Sequence, residues 1–186
     1  MKKIVIFTTI SILALIAITS YGQRYITKNG NIKFYSETPM ETIEAHNNQV
    51  NSALDISTGD FVFKVLMKSF EFEKALMQEH FNENYVESDK YPNATFKGKI
   101  ANLNDIDFAT AGEYKVVVEG ELTMHGETQN IQTTGTFQIT DETINGKSVF
   151  TIKPEDDKIK IPKTVVQNIA EEIEVTVEVS LKELIK

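Results

Sequence analysis

Apolar and polar side chains alternate with a period of two through much of this chain. In residues 114–124 most of the apolar side chains share one face, and charged residues such as Lys115 and Glu121 share the other. The same alternation occurs at residues 61–67, 95–100, 131–139 and 175–182. This pattern predicts β-strands that each bury one face.

Short polar segments that contain glycine separate these runs. They lie at residues 28–31, 57–60, 111–113, 125–127 and 144–147. Asn145-Gly146 is the strongest turn signal, because a type I′ turn needs positive φ angles at two successive residues, which Asn-Gly adopts at little cost. These segments predict hairpins that join at least six antiparallel strands.

One stretch departs from the alternation. Residues 73–84 contain no Gly or Pro, and Leu76, Met77, His80 and Phe81 lie on one arc of a helix. We therefore expect a single amphipathic helix. Many short antiparallel strands with one inserted helix suit a β-barrel or a β-sandwich, and a barrel has the advantage that it leaves no exposed strand edge.

The amino terminus differs from the rest of the chain. Two lysines precede an apolar run over residues 4–18, which is shorter than the roughly 20 residues that span a bilayer. Small residues follow, up to Gly22. We expect residues 1–22 to be a signal peptide whose cleavage leaves a soluble periplasmic or secreted protein. The alternative is an uncleaved amino-terminal anchor.

Composition excludes several classes of function. The 27 acidic residues outnumber the 19 basic ones, and a net charge of −8 disfavours nucleic acid as a partner. Cysteine is absent, and His46, His80 and His125 are widely separated, so we expect no disulfide and no metal site. No Gly-x-Ser-x-Gly motif or glycine-rich phosphate loop is present. We expect no enzymatic activity and no cofactor.

Two motifs resemble those of the YceI-like domain family. Residues 78–81 (QEHF) followed by 89–96 (DKYPNATF) are similar to the family's acidic-His-hydrophobic element and its Tyr-Pro-x-Ala-x-Phe motif. Residues 120–126 (GELTMHG) are similar to its Gly-x-Leu-Thr-x-His-Gly hairpin. The resemblance implies an antiparallel, eight-stranded, lipocalin-like barrel with a helix near one opening. It also implies an exported protein that binds a polyisoprenoid lipid.

The interior of such a barrel is the candidate binding site. Eight strands leave room either for a core filled by the protein's own side chains or for one slender ligand, and both alternatives remain open. His80 is a candidate contact for a lipid head group, or a structural hydrogen-bonding residue. The predicted binding residues are Phe63, Val65, Met67, Leu76, Met77, His80, Phe81, Phe96, Tyr114, Val116, Val118, Leu122, Met124 and Phe137.

These observations lead to one main hypothesis and one alternative. The main hypothesis is that residues 23–186 form a non-enzymatic carrier that binds an apolar lipid, of polyisoprenoid or isoprenoid-quinone-like type, inside an all-β barrel. The alternative is a ligand-free barrel or sandwich that binds another exported protein or a glycan through its loops. The absence of Trp disfavours the glycan. The sequence makes no prediction of oligomeric state.

Overall fold

The structure of the chain, a computed structural model, describes residues 23–185. The predicted signal peptide therefore lies outside the described residues. Within them no helix is long and apolar enough to cross a membrane. The elements are β1 (Arg24–Glu37), β2 (Thr42–Asp55), β3 (Asp60–Leu66), β4 (Glu71–Phe72), α1 (Ala75–His80), β5 (Asn93–Ile100), β6 (Gly112–Met124), β7 (Glu127–Ile139), β8 (Thr143–Ile152) and β9 (Ile173–Glu183).

Eight of the strands close into one antiparallel barrel. Its order is β1-β9-β8-β7-β6-β5-β3-β2, and pairing between β1 and β2 completes the ring. The two-residue strand β4 adds to the outer part of β2, opposite Ala45 and His46. The predicted lipocalin-like barrel is confirmed. A sandwich, which needs two separate sheets, is excluded because these eight strands of the described chain form one closed sheet.

The two ends of the barrel are built differently. The lower end has the connections at residues 56–59, 101–111 and 140–142. The upper end carries two long segments, which we call the helical lid (residues 67–92) and the loop lid (residues 153–172). Both lids leave a strand at the upper end and return to it there, so they lie over that opening.

The helical lid contains the predicted helix. Helix α1 passes directly into a π-helical turn at Phe81–Tyr85, so the helical segment runs from residue 75 to residue 85. The predicted helix at 73–84 is confirmed, with bounds shifted by one or two residues. The Gln78 side chain accepts a hydrogen bond from the backbone N–H of Phe72 at 3.2 Å, which holds the helix against β4.

The hairpin predicted at Asn145-Gly146 is wrong. Both residues lie within β8, and the turn is formed instead by residues 140–142, where the Thr140 hydroxyl accepts the backbone N–H of Thr143 at 3.0 Å. A Cβ on Gly146 would come within 3.0 Å of the Phe137 ring. This glycine therefore makes room for a core aromatic side chain on the paired strand.

Of the other glycine-containing segments, some form the predicted turns and others lie within strands. The turns at 57–60 and 125–127 are confirmed, since Gly59 and Gly126 have φ angles of +75° and +82°. The turn predicted at 28–31 is wrong because Gly30 lies inside β1, where the register with β2 shifts. That irregularity is a bulge, which glycine accommodates as readily as a turn. In the segment 111–113, β6 begins at Gly112.

The lower half of the barrel is a filled core. Leu54, Ile144 and Leu181 are at most 1% exposed and pack in one cluster with Val116 and Phe137. A second cluster occupies the upper half, between the strands and the helical lid. Empty space remains between the two clusters.

Candidate functional site

The upper half of the barrel is hollow. A cavity of about 330 Å³ lies between the upper strand walls and the two lids. Its volume is near the lower end of the range found for small-molecule sites. Most of its lining side chains are apolar, and the polar ones include Ser36, Glu41 and Asn168 near the lids and Thr133 and Ser148 on β7 and β8.

Aromatic rings from the upper edge of the filled core form the floor of the cavity. Phe61 contacts Phe63 with ring centroids 4.6 Å apart, and it meets Phe137 edge to face at 5.9 Å. Phe63 also meets Phe96 edge to face at 6.2 Å. These tilted arrangements are favourable for ring quadrupoles, and they separate the packed lower core from the empty space above.

A second aromatic cluster forms the roof. Phe34 of β1 contacts three rings of the helical lid, Phe70, Phe72 and Phe81, at centroid distances of 5.4 to 5.5 Å. Phe81 also contacts Phe70 and Phe72 at 5.6 and 5.1 Å. This aromatic roof fixes the helical lid over the barrel, since each such pair contributes about 0.5–1.5 kcal/mol beyond its buried area.

The loop lid covers the rest of the mouth and is anchored through Glu41. The Lys74 ammonium donates to one carboxylate oxygen of Glu41 at 3.0 Å, and the Asn168 amide donates to the other at 3.1 Å. These hydrogen bonds, led by the one from Lys74, lower the pKa of the Glu41 carboxyl. The Ser36 hydroxyl accepts the backbone N–H of Ala170 at 2.9 Å, which ties the loop lid to β1 as well.

A polar cluster, which we call the latch, joins both lids to the β6–β7 turn. The ring of His125 bonds through Nδ1 to the Asp157 backbone carbonyl at 2.9 Å and through Nε2 to the Glu87 carboxylate at 2.8 Å. Tyr91 packs edge to face on the same ring at 4.7 Å. Since the carbonyl and the ionised carboxylate are both acceptors, His125 satisfies them together when both ring nitrogens carry hydrogen.

The backbone of the described chain is strained at three residues in or beside the latch. Among residues 23–185, the non-glycine residues with positive φ are Glu87 (+44°), His125 (+50°) and Lys158 (+55°). All three lie in the latch or next to it, and Lys158 donates to Glu127 at 2.7 Å. Strained conformations of this kind persist only where surrounding contacts hold them. The predicted turn at His125 is thus confirmed, and its side chain connects the two lids.

Ten of the fourteen predicted binding residues line the cavity. They are Phe63, Val65, Met67, Met77, His80, Phe81, Phe96, Val118, Leu122 and Met124. The strands supply six of the nine apolar ones from inward-facing positions, and the helical lid supplies the other three. That they contact a ligand stays a prediction.

The other four predicted residues do not line the cavity. Val116 and Phe137 are 3% and 2% exposed in the filled lower core. Tyr114 packs against the same core, and its hydroxyl donates to the carbonyl of Thr110 at 3.0 Å. Leu76 is 60% exposed on the outer side of α1. Alternation correctly identifies the inner face of a strand but not the height of a residue along the barrel.

Sequence reasoning missed a large part of the lining. The loop lid contributes Ile159, Ile161 and Val165, and the roof ring Phe34 comes from β1. The loop lid has no regular period that would indicate an apolar face. The inward residues Val175 and Val177 of β9, which also line the cavity, were detectable from the alternation at 175–182.

Comparison with known families identifies the chain. The YceI-like domain matches residues 25–181, and the protein belongs to that family. No curated protein matches the chain in sequence.

Solved structures of similar fold come from several bacteria. A polyisoprenoid binding domain from Saccharophagus degradans, implicated in plant cell wall breakdown, has a TM-score of 0.75 and 13% identity, covering 87% of this chain and 98% of that one. BcnA from Burkholderia cenocepacia has a TM-score of 0.65 and 17% identity, covering 82% and 95%. A YceI protein from Campylobacter jejuni has a TM-score of 0.56 and 16% identity, covering 74% and 81%. At these identities the likeness concerns the fold.

Proposed function

We propose that this protein binds an apolar isoprenoid-type lipid in the hollow upper half of its barrel and carries it through an aqueous compartment. The observation that supports this most directly is the apolar cavity between the aromatic floor and the aromatic roof. Each methylene group buried there contributes about 0.8 kcal/mol, so a short isoprenoid chain binds without any polar contact. Binding is noncovalent, and no reaction is part of the proposal.

The charge of the lining favours a neutral head group. Among the described residues that line the cavity there is no Lys or Arg, and the titratable ones are Glu41, His80 and Tyr85. A lipid phosphate or pyrophosphate would find no Lys or Arg in the lining to pair with it, and the nearby Lys74 ammonium is already bonded to the Glu41 carboxylate. An alcohol or a quinone would instead find hydrogen-bonding partners at the mouth. The structural neighbour from Saccharophagus degradans is described as a polyisoprenoid binding domain, which is consistent with an isoprenoid chain as the ligand.

Filling the cavity is expected to abolish lipid retention. Leu122 of β6 is half-buried and lines the cavity. In Leu122→Trp the indole ring occupies empty space in the cavity. The lipid content should therefore fall at least tenfold, while the melting temperature changes little. Mass spectrometry of lipids extracted from protein purified from its native compartment measures the retention.

The neighbouring substitution Glu121→Trp is the matched control. Glu121 is exposed on the outer face of the same strand, so this variant should keep the wild-type lipid content. If wild-type protein carries no extractable lipid and takes up no isoprenoid probe, the carrier proposal is rejected. That result would favour the alternative, a barrel whose loops bind another protein.

Export is the second part of the proposal. Residues 1–22 have the basic start, the apolar run and the small residues of a signal peptide. We expect exported protein to begin at Gln23, which intact-mass measurement of material from the native host determines. A mass that retains residues 1–22 in a membrane fraction would replace the soluble carrier with an anchored one.

A further inference from the structure

Two neighbouring strands of the barrel separate in its upper half. β7 pairs with β6 along its whole length, but its ladder with β8 runs only from Gly135–Ser148 to Ile139–Ile144. β8 continues to pair with β9 as far as Ile152. In the described part of the chain, residues 127–134 and 149–152 therefore have no ladder between them.

Side chains end the ladder at a defined point. The Ser148 hydroxyl donates to the backbone carbonyl of Thr134 at 2.8 Å, and the Thr133 hydroxyl lies 3.0 Å from the Ser148 oxygen. These contacts replace the next backbone pair. A Cβ on Gly135 would come within 2.5 Å of the Lys147 carbonyl, so the strands are in close contact immediately below this point and diverge above it.

The gap is closed again at its upper end. The Gln129 amide donates to the backbone carbonyl of Asp156 at 2.6 Å, and Lys158 pairs with Glu127 at 2.7 Å. These bonds join β7 to the loop lid. The opening is thus a bounded hole in the barrel wall, and we call it the lateral window.

The lateral window opens onto the cavity. Ile131 and Thr133 on one side, and Phe150 and Ile152 on the other, all line the cavity. They are half-buried, whereas Ile139, at an equivalent inward position lower on β7, is 3% exposed. Apolar side chains from both strands therefore extend from the barrel surface into the cavity.

We propose that the lipid enters and leaves the barrel through the lateral window. The route at the top requires the aromatic roof, the Glu41 contacts and the latch to separate. The route through the window requires no backbone ladder to break, and Val149, 48% exposed on the outer face of β8 beside it, offers an apolar rim. This inference rests on the proposed function, because it concerns how the same cavity is filled.

Cross-linking the window tests the proposal. Gln132 and Thr151 are exposed on its two sides and do not line the cavity. The chain has no cysteine, so Gln132→Cys with Thr151→Cys supplies two unique thiols for a bifunctional reagent with a reducible spacer. With a fluorescent farnesol derivative as probe, we expect cross-linking to slow uptake and release at least tenfold. Reduction of the spacer should restore both rates.

The control pair lies on the same two strands below the window. Gln138 and Asn145 are exposed and directly paired, so Gln138→Cys with Asn145→Cys accepts the same reagent without spanning the opening. Its rates should not change. Unchanged rates for the window pair, or equal slowing in both pairs, would overturn the proposal. Wild-type protein that takes up no probe would instead reject the proposed function, and the window proposal with it.

Discussion

Gly120→Val is expected to destabilise the protein by about 3 kcal/mol or more. Gly120 of β6 is directly opposite Gly98 of β5. A Cβ on Gly120 would collide with the Gly98 Cα and the Lys97 carbonyl, which are backbone atoms that cannot rotate away. A Cβ on Gly98 would in turn collide with the backbone carbonyl oxygen of Glu119 on β6 and with the ring of Phe96. Relief of either contact requires the two strands to separate, so the cost exceeds that of ordinary overpacking.

Chemical denaturation of Gly120→Val and wild-type protein measures this difference. Glu121→Val is the matched control, because it places the same side chain one residue along on the exposed face, where valine suits a strand. The control should remain within about 0.5 kcal/mol of wild type. A loss below about 1 kcal/mol in Gly120→Val would mean that the close approach of β5 and β6 is not required for the barrel.

These glycines also show why the sequence predicts strands better than turns. Alternation reports which side chains share a face, and the faces of residues 61–67, 114–124 and 131–139 were correctly predicted. A glycine indicates only that a larger residue is unfavourable at that position. At Gly59 the reason is a positive φ angle, whereas at Gly146 it is the ring of Phe137 on the adjacent strand. Which reason applies depends on the pairing partner, which local sequence does not reveal.

The candidate site was predictable to a similar extent. The choice between a filled core and a tunnel was left open, and the barrel contains both, one above the other. Val116 and Val118 share a face of β6, yet only Val118 reaches the cavity. The level at which packing stops depends on where the aromatic floor assembles from three separate strands. The loop lid was missed because its apolar residues follow no period.

The latch could not be predicted either, because its members are far apart in sequence. Glu87, His125 and Asp157 come from the helical lid, the β6–β7 turn and the loop lid. Asp157 is 2% exposed, and its Oδ1 has no hydrogen-bond partner among the described residues. The pKa of Asp157 is raised to about 6, mainly by loss of solvation and next by the charge of Asp156; His125 opposes this rise, and Glu127 makes the smallest contribution to it. This group makes the stability of the latch depend on pH.

Asp157→Asn is expected to stabilise the protein at pH 7.5 by up to about 3 kcal/mol. In the unfolded chain the Asp157 carboxyl has a pKa near 3.9. Because the folded pKa is higher, the folded state holds the proton more tightly, and this stabilisation is complete below about pH 4 and lost as the pH rises through 6. At pH 7.5 the folded state therefore contains a buried carboxylate, and a neutral amide of the same shape removes that penalty. A shift of two pKa units corresponds to about 2.7 kcal/mol.

Thermal melts at pH 4.5 and 7.5 measure this effect. Asp157→Asn should raise the melting temperature at pH 7.5 by about 5 °C or more and change it much less at pH 4.5, where the wild-type carboxyl is protonated in the folded state. The substitution keeps the backbone carbonyl that His125 contacts. Glu155→Gln is the control, since Glu155 is exposed in the same loop lid and is not among the groups that shift the Asp157 pKa, so it should alter neither melt by much. A lower melting temperature for Asp157→Asn at pH 7.5 would show that the carboxylate stabilises the loop lid, contrary to the burial argument.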